Sequence, residues 1–349
     1  MATSTKRKEM IQQKPCAIVI LNWNGASFLS AYLPILLQKT NPVLATIYVV
    51  DNDSTDESFE VVKQFEAIQW ISNDKNYGFA QGYNEGLKNI TEPILCIMNS
   101  DIEVSDQWLE PILNAFQQNP NLGACQPKIL DLKNKQKFEY AGASGGFIDR
   151  FAYPVCRGRF FEDIEEDLGQ YDDAIPIFWA SGCCLFIRNQ VFREVGGFDG
   201  DYFAHQEEID LCWRVQNYGY DIYVFPKSVV YHYGGGSLPY GSYLKSYLNF
   251  RNSLFNIFKN VDFPKMPFVV FFRLVLDGIA AIHSIIDTKS LRVVKAIFMA
   301  HMAFYYNIPK LIQKRKQIKH KGFPKTTFNK YILIDRFWYR CTKFTELLN

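Results

Sequence analysis

The chain has 349 residues, of which 48% are hydrophobic and 21% charged, so it can bury a large core and is neither a disordered segment nor a small disulfide scaffold. At about 150 residues per domain, the length predicts two domains, or one large domain with an extension. The 38 Lys and Arg nearly balance the 36 Asp and Glu, which gives no support to nucleic-acid binding. The charges are unevenly placed, however. Residues 287–349 contain 14 cations and three acids, a net +11, whereas residues 1–286 contain 24 cations and 33 acids, a net −9.

The cysteines and the N-terminus bear on the compartment. The eight cysteines form no CxxC pair, so zinc and thioredoxin-like chemistry lack support and reduced thiols are expected. The basic residues Lys6, Arg7 and Lys8 are not followed by an apolar segment, a pattern that does not indicate a secretory signal. We therefore expect residues 1–15 to be a flexible tail and the protein to be cytoplasmic.

Short apolar runs alternate with segments of helical spacing up to about residue 131. The predicted strands are 16–23, 45–50, 68–72, 93–98 and 122–130, and the predicted helices are 26–38, 56–66, 79–89 and 106–118. This alternation predicts an α/β fold with a Rossmann-like, mostly parallel sheet. Further along, the pattern predicts an acidic surface loop at 162–173, a mixed α/β segment at 176–233 and a helical C-terminal extension from about 240.

Polar clusters follow the predicted strands, at the sheet edge where α/β proteins bind ligands. Neither GxGxxG nor a GxxxxGK[ST] loop is present, which argues against nicotinamide and P-loop chemistry. Asn22, Asn24 and Asp51 could instead bind the base and ribose of a nucleoside, with turn capping as the alternative. The segment Asn99-Ser100-Asp101 could hold a divalent cation and a diphosphate, although it is also an ordinary turn and helix cap.

Two further groups are candidates for chemistry. Glu207, Glu208 and Asp210 fall within four residues, and crowding of like charges raises a carboxyl pKa toward that of a general base. The alternative is ordinary charge placement at a helix N-terminus. His232 ends a predicted strand at 221–231 and precedes glycines, so it could ligate a metal or serve as a structural hydrogen-bonding residue.

In their order along the chain, these residues resemble the family 2 glycosyltransferases, and among them the rhamnosyltransferase-like, non-processive members with a GT-A (nucleotide-diphospho-sugar transferase) fold. The resemblance covers about residues 16–260. It is carried by the motifs VILNWNG (19–25), VVDNDSTD (49–56), NYGFA (76–80), NEG (84–86), NSD (99–101), SG (181–182), VGGFD (195–199), EEIDL (207–211), and His232 with Gly236-Ser237.

The resemblance implies specific roles. Asp51 would bind the base of a nucleoside diphosphate sugar, in a donor site that includes Asn22, Asn24, Asn52, Ser54, Asn76, Gly78, Phe79, Asn84 and Asn99. Asp101 matches the last acid of the metal-binding DxD motif, and His232 matches a histidine that helps ligate Mg²⁺ or Mn²⁺ in some members. Two positions depart from the family pattern: Asn99 replaces the first acid of DxD, and Glu208 stands where the base is usually Asp.

The implied reaction is direct displacement with inversion, in which Glu208 takes the proton of the acceptor hydroxyl. We therefore predict a metal-dependent hexosyltransferase that moves one sugar to a lipid-linked oligosaccharide or a surface polysaccharide precursor of the cell envelope. The predicted organisation is a catalytic domain at 16–240, divided into a donor half (16–131) and an acceptor half (132–240), followed by a basic helical region at 241–349. A catalytically idle nucleotide-sugar-binding scaffold is the alternative, and a nucleotidyltransferase is disfavoured because no basic Gly-rich loop follows the first strand.

The C-terminal region also raises a membrane question. The apolar stretch 266–286 has nearly the length of a membrane span, but Arg273 and Asp277 lie four residues apart within it. A buried or interfacial helix therefore fits better than a span. Segment 310–321 contains six Lys or Arg among apolar residues, which suits an anionic membrane surface, although a solvated basic helix would look the same. We expect residues 266–321 to allow peripheral binding at the inner face of the cell membrane.

Overall fold

A computed structural model describes residues 13–234, 242–288, 291–319 and 321–348, except for the side chains of residues 287 and 288. The 235–237 part of the predicted glycine motif and most of the predicted N-terminal tail lie outside these residues. The strands are β1 (Cys16–Asn22), β2 (Ala45–Asp51), β3 (Ile68–Ser72), β4 (Ile94–Asn99), β5 (Ile102–Val104), β6 (Leu122–Asp131), β7 (Gly146–Ile148), β8 (Pro154–Cys156), β9 (Arg159–Phe160), β10 (Asp163–Ile164), β11 (Ile175–Pro176), β12 (Cys184–Arg188) and β13 (Asp221–His232).

Helices cover both faces of the sheet and form the C-terminal region. They are α1 (Ala26–Lys39), α2 (Ser58–Val62), α3 (Gly78–Gly86), α4 (Glu110–Gln118), α5 (Asn189–Glu194), α6 (Glu207–Asn217), α7 (Tyr243–Asn260), α8 (Lys265–Thr288), α9 (Leu291–Gln317) and α10 (Ile332–Phe337). Single 3₁₀ turns occur at Gly200–Tyr202 and Phe344–Leu348. The helical C-terminal region predicted from the sequence is confirmed.

Nine strands form the central sheet, in the order β11-β13-β6-β12-β4-β1-β2-β3, with β5 paired to β13. Strands β3, β2, β1 and β4 are parallel neighbours, and β1 is almost fully buried because helices cover both of its faces. Two hydrophobic clusters fill the space on either side of the sheet. The predicted α/β architecture is therefore confirmed.

The sheet is more mixed than the regular alternation in the sequence suggests. Strand β12 enters antiparallel between β4 and β6, and β11 and β5 also pair antiparallel, to β13. The longest registers, β1 with β2 and β6 with β13, are nevertheless parallel. A polar strand end on β4 thus faces the connection that leads into β12, because Asn99 N–H donates to the Cys183 carbonyl at 2.9 Å.

A second, four-stranded antiparallel sheet (β7–β10) lies in the glycine- and aromatic-rich region after β6. The acidic segment 162–173 continues from it, and this segment is held to the protein more tightly than a solvated loop. Buried Lys128 pairs with Asp167 and Asp172, and Arg157 pairs with Asp173 at 2.5 Å. The cluster of acids therefore neutralises two buried cations.

Candidate functional site

The polar ends of β1 and β2 meet in one hydrogen-bonded group. Asn22 and Asp51 are paired across the two parallel strands, and the Asn22 amide nitrogen donates to Asp51 Oδ1 at 3.0 Å and to Ser54 Oγ at 3.1 Å. Ser54 N–H donates to the other Asp51 oxygen, and Asn24 adopts a left-handed φ of 50° with its N–H on Ser54 Oγ. These four predicted donor-site residues are thus brought together, with Asn22 and Asp51 almost fully buried.

Asn52 connects this group to the loop that opens α3. Its amide nitrogen donates to Asn76 Oδ1 and to the Gly78 carbonyl, and its own oxygen accepts from Asn73. Gly78 has φ of +72°, and a Cβ there would lie 2.5 Å from the Phe203 ring. Only glycine fits this close approach. Asn52 and Asn76 therefore shape the loop that opens α3. Phe79, the residue after Gly78, donates its N–H to the Phe203 carbonyl at 2.7 Å.

Asp101, His232 and Asn99 converge where β4 and β13 end. His232 Nε2 lies 3.2 Å from Asp101 Oδ1 and 3.4 Å from the Asn99 amide nitrogen. On the other side of the ring, Nδ1 lies 3.2 Å from Glu139 Oε1, within ion-pair distance but not aligned as a hydrogen bond. Burial lowers the pKa of His232, but Glu139 and Asp101 outweigh it and raise the pKa to about 10. Burial likewise opposes ionisation of Asp101, yet its contact with His232 holds its pKa below the ordinary value.

These residues fit part of a divalent-cation site. Two ligands of one cation, each about 2.1 Å from it, lie about 3 Å apart in an octahedral arrangement, close to the separation of Asp101 Oδ1 and His232 Nε2. No cluster of three His, Cys, Asp or Glu side chains with metal-ligand geometry occurs in the described part of the chain. Asp101 and His232 are therefore the protein ligands available here, and Mg²⁺-type sites complete their shell with water and substrate phosphate. Glu139, which no motif singles out, is the additional residue that the fold places on His232.

Glu207 and Glu208 open α6, and their carboxyl groups are largely removed from solvent. Burial raises the pKa of Glu208 to about 7, and burial together with the charge of Glu208 raises the pKa of Glu207 well above its ordinary value. Each carboxyl keeps one buried oxygen, Oε2, without a hydrogen-bond partner among the described residues. A Cβ built on Gly182 would lie 3.2 Å from the Phe79 ring and 3.7 Å from Glu208 Cβ. Glu208 thus adjoins the α3 loop, with only glycine between them.

Two predicted site residues are used elsewhere. Asp210 follows Glu208 by two positions on α6 and therefore projects from nearly the opposite side of the helix. It is fully buried and pairs with Arg214 at 2.8 Å and Lys259 at 2.9 Å, so its geometry corrects the prediction of a catalytic acid in favour of a structural ion pair. The Asn84 amide group is paired within the protein, because its nitrogen donates to the Phe198 carbonyl and its oxygen accepts from the Phe198 N–H.

Sequence reasoning missed the helix that holds the loop in front of Glu207. Residues 203, 205 and 206 have left-handed φ angles of 62°, 68° and 72°. Three side chains of α7 bind the backbone carbonyls of this loop. Asn252 Nδ2 lies within hydrogen-bond distance of the carbonyls of Tyr202, Ala204 and His205. Arg251 donates to the carbonyls of Asp201 and Tyr202, and Asn256 donates to that of Gln206. The sequence shows only that this helix carries polar residues at positions 251, 252 and 256. It does not show which segment they bind.

The sheet with its polar carboxyl edge defines a GT-A class of α/β glycosyltransferase fold. Among solved structures, GalNAc-T7 with UDP, GalNAc and Mn²⁺ superposes with a TM-score of 0.59 at 15% identity, over 94% of this chain and 57% of that one. TarS residues 1–349 from S. aureus gives a TM-score of 0.55 at 11% identity, over 86% and 82%. These similarities confirm the predicted fold.

Residues 17–196 match the family model described as glycosyl transferase family 2, and the chain belongs to that family. It is 27% identical over 237 residues to polypeptide N-acetylgalactosaminyltransferase 4 of Caenorhabditis elegans, covering 66% of this chain and 40% of the relative. It is 24% identical over 234 residues to an N-acetylglucosaminyl-diphospho-decaprenol L-rhamnosyltransferase of Mycobacterium tuberculosis, covering 62% and 75%. The chain thus spans well under two thirds of the C. elegans protein.

Proposed function

We propose that this glycosyltransferase moves one hexose unit, with inversion, from a nucleoside diphosphate sugar to a hydroxyl of a lipid-linked oligosaccharide or surface polysaccharide precursor of the cell envelope. The M. tuberculosis relative is named for transfer of rhamnose to a diphospho-decaprenol-linked sugar, which supports a lipid-linked acceptor. GalNAc-T7 was crystallised with UDP, GalNAc and Mn²⁺, which supports a nucleotide-sugar donor and a divalent cation. We divide the chain into a donor half (16–131), an acceptor half (132–240) and a C-terminal region (241–349). The protein would act at the inner face of the cell membrane.

In the donor half, Asp51 would bind the base through the carboxylate that Asn22 and Ser54 hold in place. Asn24, two residues after the end of β1, would line the same site. Asn76 and Gly78 would shape its rim, and Phe79 would pack beside the donor sugar. The group of polar side chains is pre-formed by its own hydrogen bonds, which lowers the entropic cost of binding a nucleotide.

Asp101 and His232 would hold a Mg²⁺ or Mn²⁺ ion, with Asn99 beside them. When bound, the cation neutralises the charge that develops on the departing diphosphate. Glu139 lies 3.2 Å from Nδ1 on the far side of the ring, and a bound cation would have to displace the proton that the raised pKa of His232 keeps on Nε2. The protein therefore contributes one carboxylate and one oriented imidazole to the leaving-group side of the site.

Glu208 would act as the general base. Its raised pKa, about 7, arises from burial and lies where a carboxylate can accept a proton from a hydroxyl that is attacking a sugar. The unpartnered Oε2 is free to receive that proton, and the Gly182 backbone keeps the space beside Phe79 open. Glu207, whose pKa is raised further, would stay protonated and donate a hydrogen bond to a substrate oxygen.

The single observation that carries the proposal is the buried Oε2 atom of Glu208, which has no hydrogen-bond partner among the described residues and lies beside the donor loop. Glu208→Gln keeps the shape of the side chain and removes its basicity, so turnover should fall at least about 100-fold while donor binding is retained. Donor binding is measured by thermal shift with UDP-, dTDP- and GDP-sugars in Mn²⁺. Glu66→Gln, at an exposed position, is the matched control and should leave both quantities unchanged.

The competing function is an idle nucleotide-sugar-binding scaffold, favoured by Asn99 in place of the first acid of the metal motif. That function predicts no transfer by the wild-type protein with any donor that stabilises it. Transfer by the wild type, abolished by Glu208→Gln with donor binding intact, would exclude the scaffold.

A further inference from the structure

Helix α8 has its charged and apolar faces reversed relative to a surface helix of a water-soluble domain. It is the one helix in the described part of the chain that is long and apolar enough to cross a membrane by length and composition. Its two internal charges point inward, since Arg273 is 2% exposed and Asp277 is 0% exposed. Arg273 donates to the carbonyl of Phe151 at 2.9 Å, and Asp277 Oδ2 lies 3.2 Å from His301 on α9.

The opposite side of α8 is apolar and exposed. At about 100° per residue, the outward side chains lie about 120–200° around the helix from Asp277. They recur at helical spacing from Phe268 to Ile286, over about 27 Å, and α9 also carries exposed apolar side chains. The outward face comprises Phe268, Phe271, Val275, Ile279, Ile282 and Ile286 of α8, with Phe298, Met302 and Tyr305 of α9.

The exposed charges near this outward face are mainly positive. Among the acids from residue 265 onward whose side chains the structure describes, Asp277 and Asp335 are buried and Glu346 is exposed. Exposed cations stand at the start of both helices and beyond α10: Lys265, Lys295, Arg340 and Lys343. Three exposed aromatic residues, Phe337, Trp338 and Tyr339, follow α10. Aromatic and basic residues beside an apolar face are typical of protein elements that lie in the interface of an anionic bilayer.

We propose that the outward face of α8 and α9 is embedded in the surface of an anionic lipid bilayer, with the helices lying in the plane of the interface. A spanning orientation is disfavoured because Arg273 and Asp277 tie the inward side of α8 to the protein along its middle. The basic segment 310–321 is not the main contact. Lys310 and Lys314 pair with Asp201 and Asp199, and Arg315 donates to three carbonyls at the end of α7.

Vesicle flotation of the full-length protein tests the proposal. The assay contains neither donor nor acceptor, so its result does not depend on the proposed reaction. Wild-type protein should float with equimolar phosphatidylcholine and phosphatidylglycerol vesicles, and less with phosphatidylcholine alone. The variant Phe271→Gln/Ile279→Gln/Ile282→Gln should bind at least about tenfold more weakly to both. The matched control Val43→Gln/Phe59→Gln/Leu168→Gln alters three exposed apolar residues elsewhere and should bind like the wild type.

Circular dichroism melting checks that the variants are folded. Because all six substituted positions are exposed, both variants should have the same melting temperature as the wild type. Equal flotation of the two variants, or no flotation of the wild type, would overturn the proposal. A second result would also overturn it. Light scattering without lipid would show that the wild type is a dimer and the α8 variant a monomer, and adding vesicles would not dissociate the wild-type dimer. In that case a second copy of the chain, not a bilayer, covers the face.

Discussion

Asn252 on α7 is predicted to control both stability and turnover from a distance. Its amide nitrogen lies 3.2, 3.0 and 2.7 Å from the carbonyl oxygens of Tyr202, Ala204 and His205. Because an amide NH₂ has two hydrogens, about two of these bonds form at once. Each is worth about 1 kcal/mol net, and carbonyls left without a partner in a buried site add a further cost. Asn252→Ala should therefore lower the free energy of unfolding by about 2–4 kcal/mol.

The same change should act on the chemistry, because the loop that Asn252 holds leads directly into Glu207 and Glu208. Loosening the left-handed turns at 203–206 should admit water to Glu208 and bring its pKa down from about 7 toward that of an ordinary carboxyl. We expect kcat to fall with little change in donor KM, and the acidic limb of the pH profile to move to lower pH. A purely structural role would lower stability without moving that limb.

Asn249→Ala is the matched control on the same helix. Its amide donates at 3.0 Å to the Lys245 carbonyl, one turn earlier in α7, and does not reach the loop. Urea unfolding followed by circular dichroism gives the stability of both variants, and initial rates at several pH values give the profile. If the two variants have equal unfolding free energies and the same pH profile, the reasoning about the loop is refuted.

Three further predictions concern the site and its support. In the wild-type protein, kcat/KM should rise about tenfold per pH unit up to the pKa of Glu208, about 7, and then level off; a flat profile through neutrality would argue against this base. Asp101→Asn should remove the Mn²⁺-dependent part of the thermal shift by UDP, whereas Asp106→Asn, at an exposed position, should keep it. Asp199→Asn should cost about 2 kcal/mol, since Lys259 and Lys314 each lose one carboxylate partner while keeping Asp210 and Asp201 respectively. Burial opposes ionisation of Asp199, but its lysine partners hold its folded pKa below the unfolded value of 3.8, so this stabilisation is complete above that value and should fade in acid unfolding below it.

The strand ends could be predicted because their information is local. Asn22 and Asp51 each follow a run of buried apolar residues, and parallel pairing then requires the two ends to meet. The strand pattern was enough to group Asn22, Asn24 and Asp51, whereas the other donor-site residues were predicted from the family resemblance. The roles of Asp101, His232 and Glu208 remain predictions, but the structure does bring Asp101 and His232 to within 3.2 Å of each other.

The features of the fold and the site that the sequence did not predict depend on contacts between segments that are distant in the chain. Glu139 reaches His232 across a separation of about ninety residues, and β12 inserts between β4 and β6 although it follows them in sequence. Asp210 looked equivalent to Glu208 because spacing alone does not show which side of α6 faces the core. The hydropathy of residues 266–286 similarly predicted a buried or interfacial helix with paired charges without deciding between the two, and the structure shows that one apolar side is exposed.

The C-terminal region supports the site as well as presenting the outward face, and this decides how the membrane proposal must be tested. Lys314 of α9 pairs with Asp199, and Lys310 pairs with Asp201, both in the segment that leads to Glu207. Removing residues 287–349 would break these pairs and expose the α7 side of the loop. Loss of vesicle binding after such a truncation would then report a damaged fold as readily as a missing membrane contact. Substitutions confined to the outward face of α8 leave every one of these pairs in place, so they separate the two causes.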